Sequence, residues 1–226
     1  MPQPVNSVHR SELYVDLLRR HVNTDLPYEP PRLHLRDSDF TDAVTLLGHF
    51  GLTAEQPYVA IAFQAVAESR RWGEENYRQL ITELLARYPF AVVLVGAKDE
   101  APVGERLREA TGADDRVFNL AGKTTIRQLA AILARARLFI GNDSGPAHLA
   151  AAVETPLVVL SGADDPKETS PVATKKQLLY HDELACISCV KNRCPLSGDE
   201  RMQCMRLITV ADVMTAVRTM IGQADS

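Results

Sequence analysis

Several features are scarce or missing in this 226-residue sequence. No apolar run approaches the roughly 20 residues that span a bilayer. The opening "MPQPVNSVHRSELY" lacks the apolar centre of a secretory leader. The expectation is a cytoplasmic protein with peripheral membrane contact at most. Basic charge is not in excess: 25 Lys and Arg face 29 Asp and Glu, a net charge of −4. No global field therefore invites nucleic acid. Four cysteines are too few for a disulfide scaffold at this length. The fingerprint GxGxxG is absent, which argues against a standard nicotinamide or flavin site. "GKTT" lacks the preceding spacing of a Walker loop.

What is present is ordinary globular material, 46% hydrophobic and 24% charged, at a length that buries a sizeable core. "SVHRSELYVDLLRRHV" has helical apolar spacing, with Ser7 as a capping residue. "DLPYEPPRLHL" reads as extended linker. "SDFTDAVTLLGHFG" predicts a helix with Ser38 as N-cap and Gly51 as the stop. Then a rhythm sets in. Apolar strands ("PYVAIAF", "FAVVLVG", "DRVFNL", "RLFIG", "PLVVLSG") alternate with helical stretches, one of them capped by Thr124 or Thr125. After "SGADDPKETSP" comes a loop-rich section. A final helix, "TVADVMTAVRTMIG", takes Thr209 as its cap. Strands that are apolar throughout, separated by helices, signal a parallel sheet covered on both faces. The expected class is α/β, a Rossmann-like doubly wound parallel sheet.

Ligands of such sheets sit at the carboxyl ends of the strands. In "GNDSGPAH", Ser144 and Gly145 fall at a helix start, where free N–H groups and the helix dipole favour phosphate. Gly145 lets a ligand approach the backbone closely. Asp143 can accept from sugar hydroxyls, and His148 lies one turn on from Ser144. A well-capped turn accounts for the same residues. Arg70 precedes a helix and suits phosphate oxygens, or is simply solvated. Lys123 and Thr124 lie in "GKTT". Glu100, in "GAKDE", suits a ribose or sugar diol, or is a surface acid in a first turn.

Together these loops resemble family 9 glycosyltransferases, the ADP-heptose:lipopolysaccharide heptosyltransferases. The likeness rests on "LAGKTTIRQLAAILARARLFIGNDSGPAHLAAAVETPLVVLSGADDPKETSP", on "ESRRWGEENYRQLITELL" and on the tail "ACISCVKNRCPLSGDERMQCMRLITVADVMTAV", which is similar to the heptosyltransferase II branch. It covers roughly Leu52 to the C-terminus. The resemblance implies the C-terminal domain of a GT-B enzyme, holding the donor half of an inverting transfer from ADP-heptose to a lipopolysaccharide-core acceptor, with no cofactor needed for catalysis. It implies that Asp143, Ser144 and Gly145 meet the donor's phosphates and sugar. Arg70 would stand where the family has a phosphate-binding Lys, Glu100 near a donor-contacting carboxylate, and Thr124 in the turn that meets adenine. Lys123 and His148 join the donor-binding set. Residues 1–36 resemble a lead-in helix and interdomain linker, and residues 37–226 the donor domain. The acceptor half and its general base are then expected to be missing, whether the chain is a fragment or a naturally shortened relative. A non-catalytic sugar-nucleotide-binding partner is the alternative. The sequence departs from the family pattern in three places: Arg70 replaces Lys, "AFQAVAES" lacks a Pro-Gly, and "WGEE" lacks the Pro after Trp72.

Cys186, Cys189, Cys194 and Cys204 follow Cx2Cx4Cx9C. The first pair has metal-ligand spacing, and four thiolates suit a closed structural zinc or iron site. Reduced thiols in a compact loop, or adventitious disulfides, are the other readings.

Overall fold

The computed structural model describes residues 8–113 and 115–224. Six strands form one sheet in the order β3-β2-β1-β4-β5-β6, every neighbouring pair parallel. They are β1 (Tyr58–Ala62), β2 (Ala91–Val95), β3 (Val117–Asn119), β4 (Leu138–Asn142), β5 (Leu157–Leu160) and β6 (Lys176–Leu179). This is the doubly wound order, with its switch point between β1 and β4. The α/β expectation holds.

The apolar strands earn their burial by alternation. Val59, Ile61, Val92 and Leu94 face one core, with α3 (Glu74–Arg87), α4 (Ala101–Thr111) and α9 (Val210–Ala224). Tyr58, Ala60, Ala62, Val93 and Val95 face the other, with α2 (Asp37–His49), α5 (Ile126–Arg135) and α6 (Gly145–Ala152). Side chains of a strand alternate with a period of two, so a strand buried on both faces reads as apolar throughout.

Helix ends show where local chemistry decided the outcome. Thr125 caps α5: its hydroxyl accepts from Gln128 N at 3.2 Å, and Gln128 accepts in return from Thr125 N at 2.9 Å. Thr209 and Asp212 do the same for α9. Gly51 ends α2 with φ of 92°, which favours glycine. Ser38 is not the cap of α2. The helix starts one residue earlier, at Asp37, because the Asp39 carboxylate takes the Arg36 N–H at 2.9 Å. Asp39 also accepts from the Arg127 guanidinium at 3.0 Å. The first helix, α1 (Arg10–Val22), is capped by His9, whose ring accepts from Ser11 N. Ser7, the expected cap, lies outside the described residues. The loop-rich section after β5 contains a short helix, α7 (Pro166–Thr169), and the edge strand β6, which the sequence reading missed. "KKQLL" mixes polar and apolar residues because every position of that strand is only half-buried. Within the cysteine tail lies one further short helix, α8 (Gln203–Arg206).

Candidate functional site

The sheet's parallel register brings five loops to one edge. Two clefts open there and meet at the start of α6, since Ser144 and Gly145 line both. Ser144 does not cap that helix. Its hydroxyl donates back to the Asn142 carbonyl at 3.1 Å, which leaves the helix start without a side-chain cap. The N-terminus is thus open to an anion. A Cβ built on Gly145 would meet nothing within 4 Å. The glycine is therefore not demanded by protein packing, and the space beside it is cleft.

The first cleft holds about 330 Å³ between the loops after β1, β2 and β3. Thr124 and Glu100 line it, with Gln64, Val66 and Ile126. Val66 and Ile126 are large apolar side chains left 100% and 75% exposed, a surface that a planar group would cover. The Glu100 carboxylate accepts from Ala97 N at 2.7 Å. Burial pushes its pKa above the ordinary carboxylate value against that hydrogen bond. A side chain at Gly96 would overlap the same carboxylate, so glycine there makes room for it. The Gln64 Oε1 atom is buried with no partner among the described residues.

The second cleft, about 240 Å³, lies on the other side of Gly145. Arg70, Asp143, His148 and Asp164 line it. Arg70 grips Asp164 through two guanidinium nitrogens, Nε to Oδ2 at 2.5 Å and Nη2 to Oδ1 at 2.6 Å. Burial raises the Asp164 pKa, the Arg70 charge lowers it, and the neighbouring Asp143 raises it. Asp143 is itself only 4% exposed, and its Oδ2 has no hydrogen-bond partner among the described residues. His148 Nε2 stands 3.6 Å from Asp143 Oδ1, too far for a hydrogen bond. A buried carboxylate oxygen without a donor costs roughly 1–3 kcal/mol, so a ligand hydroxyl placed there would recover it. Lys176 sits behind, its ammonium donating to Ser170 Oγ and the Pro171 carbonyl, both at 2.8 Å. Burial lowers its pKa while Asp143 raises it.

Arg70 is aimed by its surroundings. It ends a single 3-10 turn, Glu68–Arg70. The next residue but one, Trp72, is buried, with its indole N–H on the Ile208 carbonyl at 2.7 Å and its ring edge-on to Tyr77 at 5.0 Å. Trp72 N also donates to Asn142 Oδ1 at 3.3 Å, tying this loop to the end of β4. Arg71 is turned away, onto the Ala65 carbonyl at 2.7 Å.

The structure thus gathers Arg70, Asp143, Ser144, Gly145 and His148 around one cleft, and Glu100 and Thr124 around the other. Lys123 is exposed and lines neither. Sequence reasoning missed Asp164. In "ADDP" the second acid, Asp165, is spent capping α7 by accepting from Lys167 N at 3.0 Å, which frees the first to turn inward. The doubled acid before proline was the available signal. Nothing local marked Gln64 or Lys176.

The sequence profile of glycosyltransferase family 9 (heptosyltransferase) matches residues 3–198. The chain belongs to glycosyltransferase family 9. Lipooligosaccharide heptosyltransferase 2 of Haemophilus influenzae is 35% identical over 131 residues, which are 57% of this chain and 38% of that protein. The aligned part is thus well under half of that relative. The solved E. coli ADP-heptose lps heptosyltransferase II superposes with a TM-score of 0.73 at 24% identity, covering 91% of this chain and 57% of that one. A family 9 glycosyl transferase from Veillonella parvula gives 0.81 at 19% identity, covering 99% and 62%. At these identities the two structures speak to the fold, and both place it with the family 9 sheet.

The four cysteines of this family 9 chain are free and half-buried, beyond the two clefts. Cys204 is pushed up to about 11, first by burial and then by the nearness of Cys186, Cys189 and Cys194. Cys194 Sγ accepts from Met202 N at 3.3 Å. Among the described residues no group of three or more His, Cys, Asp or Glu side chains is disposed to hold a metal ion. No helix among those residues is long and apolar enough to cross a membrane.

Proposed function

We propose that this chain is the nucleotide-sugar-binding part of an inverting heptosyltransferase of lipopolysaccharide-core synthesis, with ADP-heptose as its donor. One observation carries the reading: two clefts of different character meet at an uncapped helix start beside a glycine that packing does not require. An ADP-sugar has the same three parts. The adenosine suits the cleft with Val66, Ile126, Thr124 and Glu100. The diphosphate suits the start of α6, with Arg70 beside it. The sugar hydroxyls suit Asp143, whose buried oxygen lacks a donor among the described residues. In the transfer, the bond from the anomeric carbon to the diphosphate breaks and a bond to the acceptor oxygen forms on the opposite face. The acceptor's proton passes to a base and ADP leaves with its new negative charge. The α6 dipole and Arg70 would stabilise that charge. His148 remains a proposed donor contact through the sugar, and Lys123 one that would have to reach in from outside both clefts. The work belongs in the cytoplasm, where nucleotide sugars are made. The acceptor side and its base would come from the part of the relatives that the aligned region does not span.

Calorimetry with ADP, ADP-heptose, a UDP-sugar and NAD tests this directly. ADP and ADP-heptose should bind, the heptose form tighter, and the others should not. Failure of every ADP compound to bind to folded protein would end the proposal. A non-catalytic sugar-nucleotide-binding partner would bind the same donor, and assays for heptose transfer to core acceptor separate the two.

The cysteines carry a second, structural proposal, a zinc or iron ion held by four thiolates. What supports it is the donor set, four cysteines in Cx2Cx4Cx9C spacing. The side chains as they stand do not form such a site among the described residues, so binding would require the loop to rearrange. Metal analysis of protein prepared without chelator should find about one ion per chain. Four freely titrating thiols and no metal would refute it.

A further inference from the structure

The cysteine loop touches both sides of the Arg70–Asp164 pair. From its own backbone, Ser188 N donates to the Gly162 carbonyl at 3.4 Å and Val190 N to the Ala163 carbonyl at 2.7 Å. The Ser188 hydroxyl donates to the Asp164 carbonyl at 3.3 Å and shares a 2.5 Å bond with Tyr180. Those contacts hold the loop after β5. Two residues further on, the same segment holds the loop after β1. Ser69 N donates to the Asn192 carbonyl at 3.2 Å, and the Ser69 hydroxyl donates to the Lys191 carbonyl. Ser69 is 2% exposed and directly precedes Arg70. Glu68, on its other side, pairs with Arg201 at 2.5 Å. Ser188 and Val190 hold φ of 54° and 53°, in the left-handed region that non-glycine residues rarely adopt. Val190, β-branched, does so at a cost that its surroundings must offset. The clamp to Gly162 and Ala163 is what those two dihedrals accomplish.

We propose that residues 188–192 act as a brace that fixes Arg70 against Asp164, with Ser69 as the positioning residue through which the brace reaches the donor site. Occupancy of the donor cleft and order in the cysteine loop are then coupled, and the coupling runs both ways. Ser69 touches no ligand in this scheme; it sets where Arg70 stands. The inference rests on the donor-site reading for its ligand, while the brace itself is a property of the free protein.

Hydrogen exchange on the whole chain, followed by peptide mass with and without saturating ADP, tests it. ADP should slow exchange several-fold in the peptide spanning 186–194 as well as in the loops lining the clefts. In Ser69→Ala, ADP should bind several-fold more weakly, because Arg70 is no longer held where the diphosphate would meet it. The ligand-dependent protection of 186–194 should disappear while the sheet keeps its own. Ser69→Thr, which retains the hydroxyl, should restore the protection. If ADP binds and protects the clefts but leaves 186–194 unchanged, the brace is refuted and the donor reading stands. If ADP does not bind, the donor reading falls, and the free Ser69→Ala protein decides the brace. Faster exchange in both 66–71 and 186–194 supports it, and unchanged exchange overturns it.

Discussion

Removing the Arg70 guanidinium should make the stability of this protein depend on pH in a defined direction. The ion pair is bidentate, at 2.5 and 2.6 Å, with the Asp164 side chain 8% exposed and that of Arg70 35%. Breaking a fully buried pair by deleting one partner costs about 3–5 kcal/mol, and an exposed pair contributes about 0–1 kcal/mol. With one partner buried and the other a third exposed, Arg70→Ala should cost about 2 kcal/mol at neutral pH. Burial already holds the folded Asp164 pKa above its ordinary value, and Arg70 is the main charge that opposes this rise. Without Arg70 it climbs further. A carboxyl whose folded pKa exceeds its unfolded one binds more protons when folded, so stability falls as pH rises through that window. The penalty of Arg70→Ala should therefore be full near pH 7.5 and shrink at a mildly acidic pH, as the buried acid takes a proton. Urea denaturation of wild type and variant at both pH values measures it, and adding Asp164→Asn to Arg70→Ala should recover most of the loss at pH 7.5. A penalty identical at both pH values, or no recovery by Asp164→Asn, would refute the idea that an uncompensated buried carboxylate is the cause.

Gly145→Val should leave the melting temperature within a few degrees, since a Cβ there meets nothing within 4 Å, and should abolish calorimetric ADP binding by filling the join between the clefts. Gly162→Ala should destabilise by about 1–3 kcal/mol in urea, because its Cβ would fall 2.6 Å from Met205 Sδ and 3.0 Å from Cys204 Sγ. Asp143→Asn should weaken ADP-heptose binding more than ADP binding; equal loss for both would place Asp143 away from the sugar. Asp39 is held at about 2, chiefly by its hydrogen bonds to the Arg36 side chain and backbone. Its depressed pKa contributes stability present above about pH 4 and lost as pH falls toward 2. Acid titration of Asp39→Asn should show a shallower fall across that interval.

The strand and helix alternation was legible because both signals are local. "VAIA" and "AVVLV" are apolar at every position, as strands buried on two faces must be, and Thr125 and Thr209 cap their helices within three residues of chain. Ser38 misled because capping was decided by Asp39, whose charge also reaches Arg127, 88 residues away. Strand β6 was illegible because an edge strand that is half-buried carries no clean periodicity. The site divides along the same line. "GNDSGPAH" announced a helix start directly after a strand, and the sequence by itself determined that Ser144, Gly145 and Asp143 would stand at a strand's end. Only the tertiary structure decided that Arg70 would be shared with Asp164, that Lys123 would point to solvent, and that the cysteine loop would reach across to Ser69. The first and the last depend on contacts between residues 94 to 123 positions apart. The parallel sheet, which sets its loops side by side in an order the chain does not follow, is what brings them within reach.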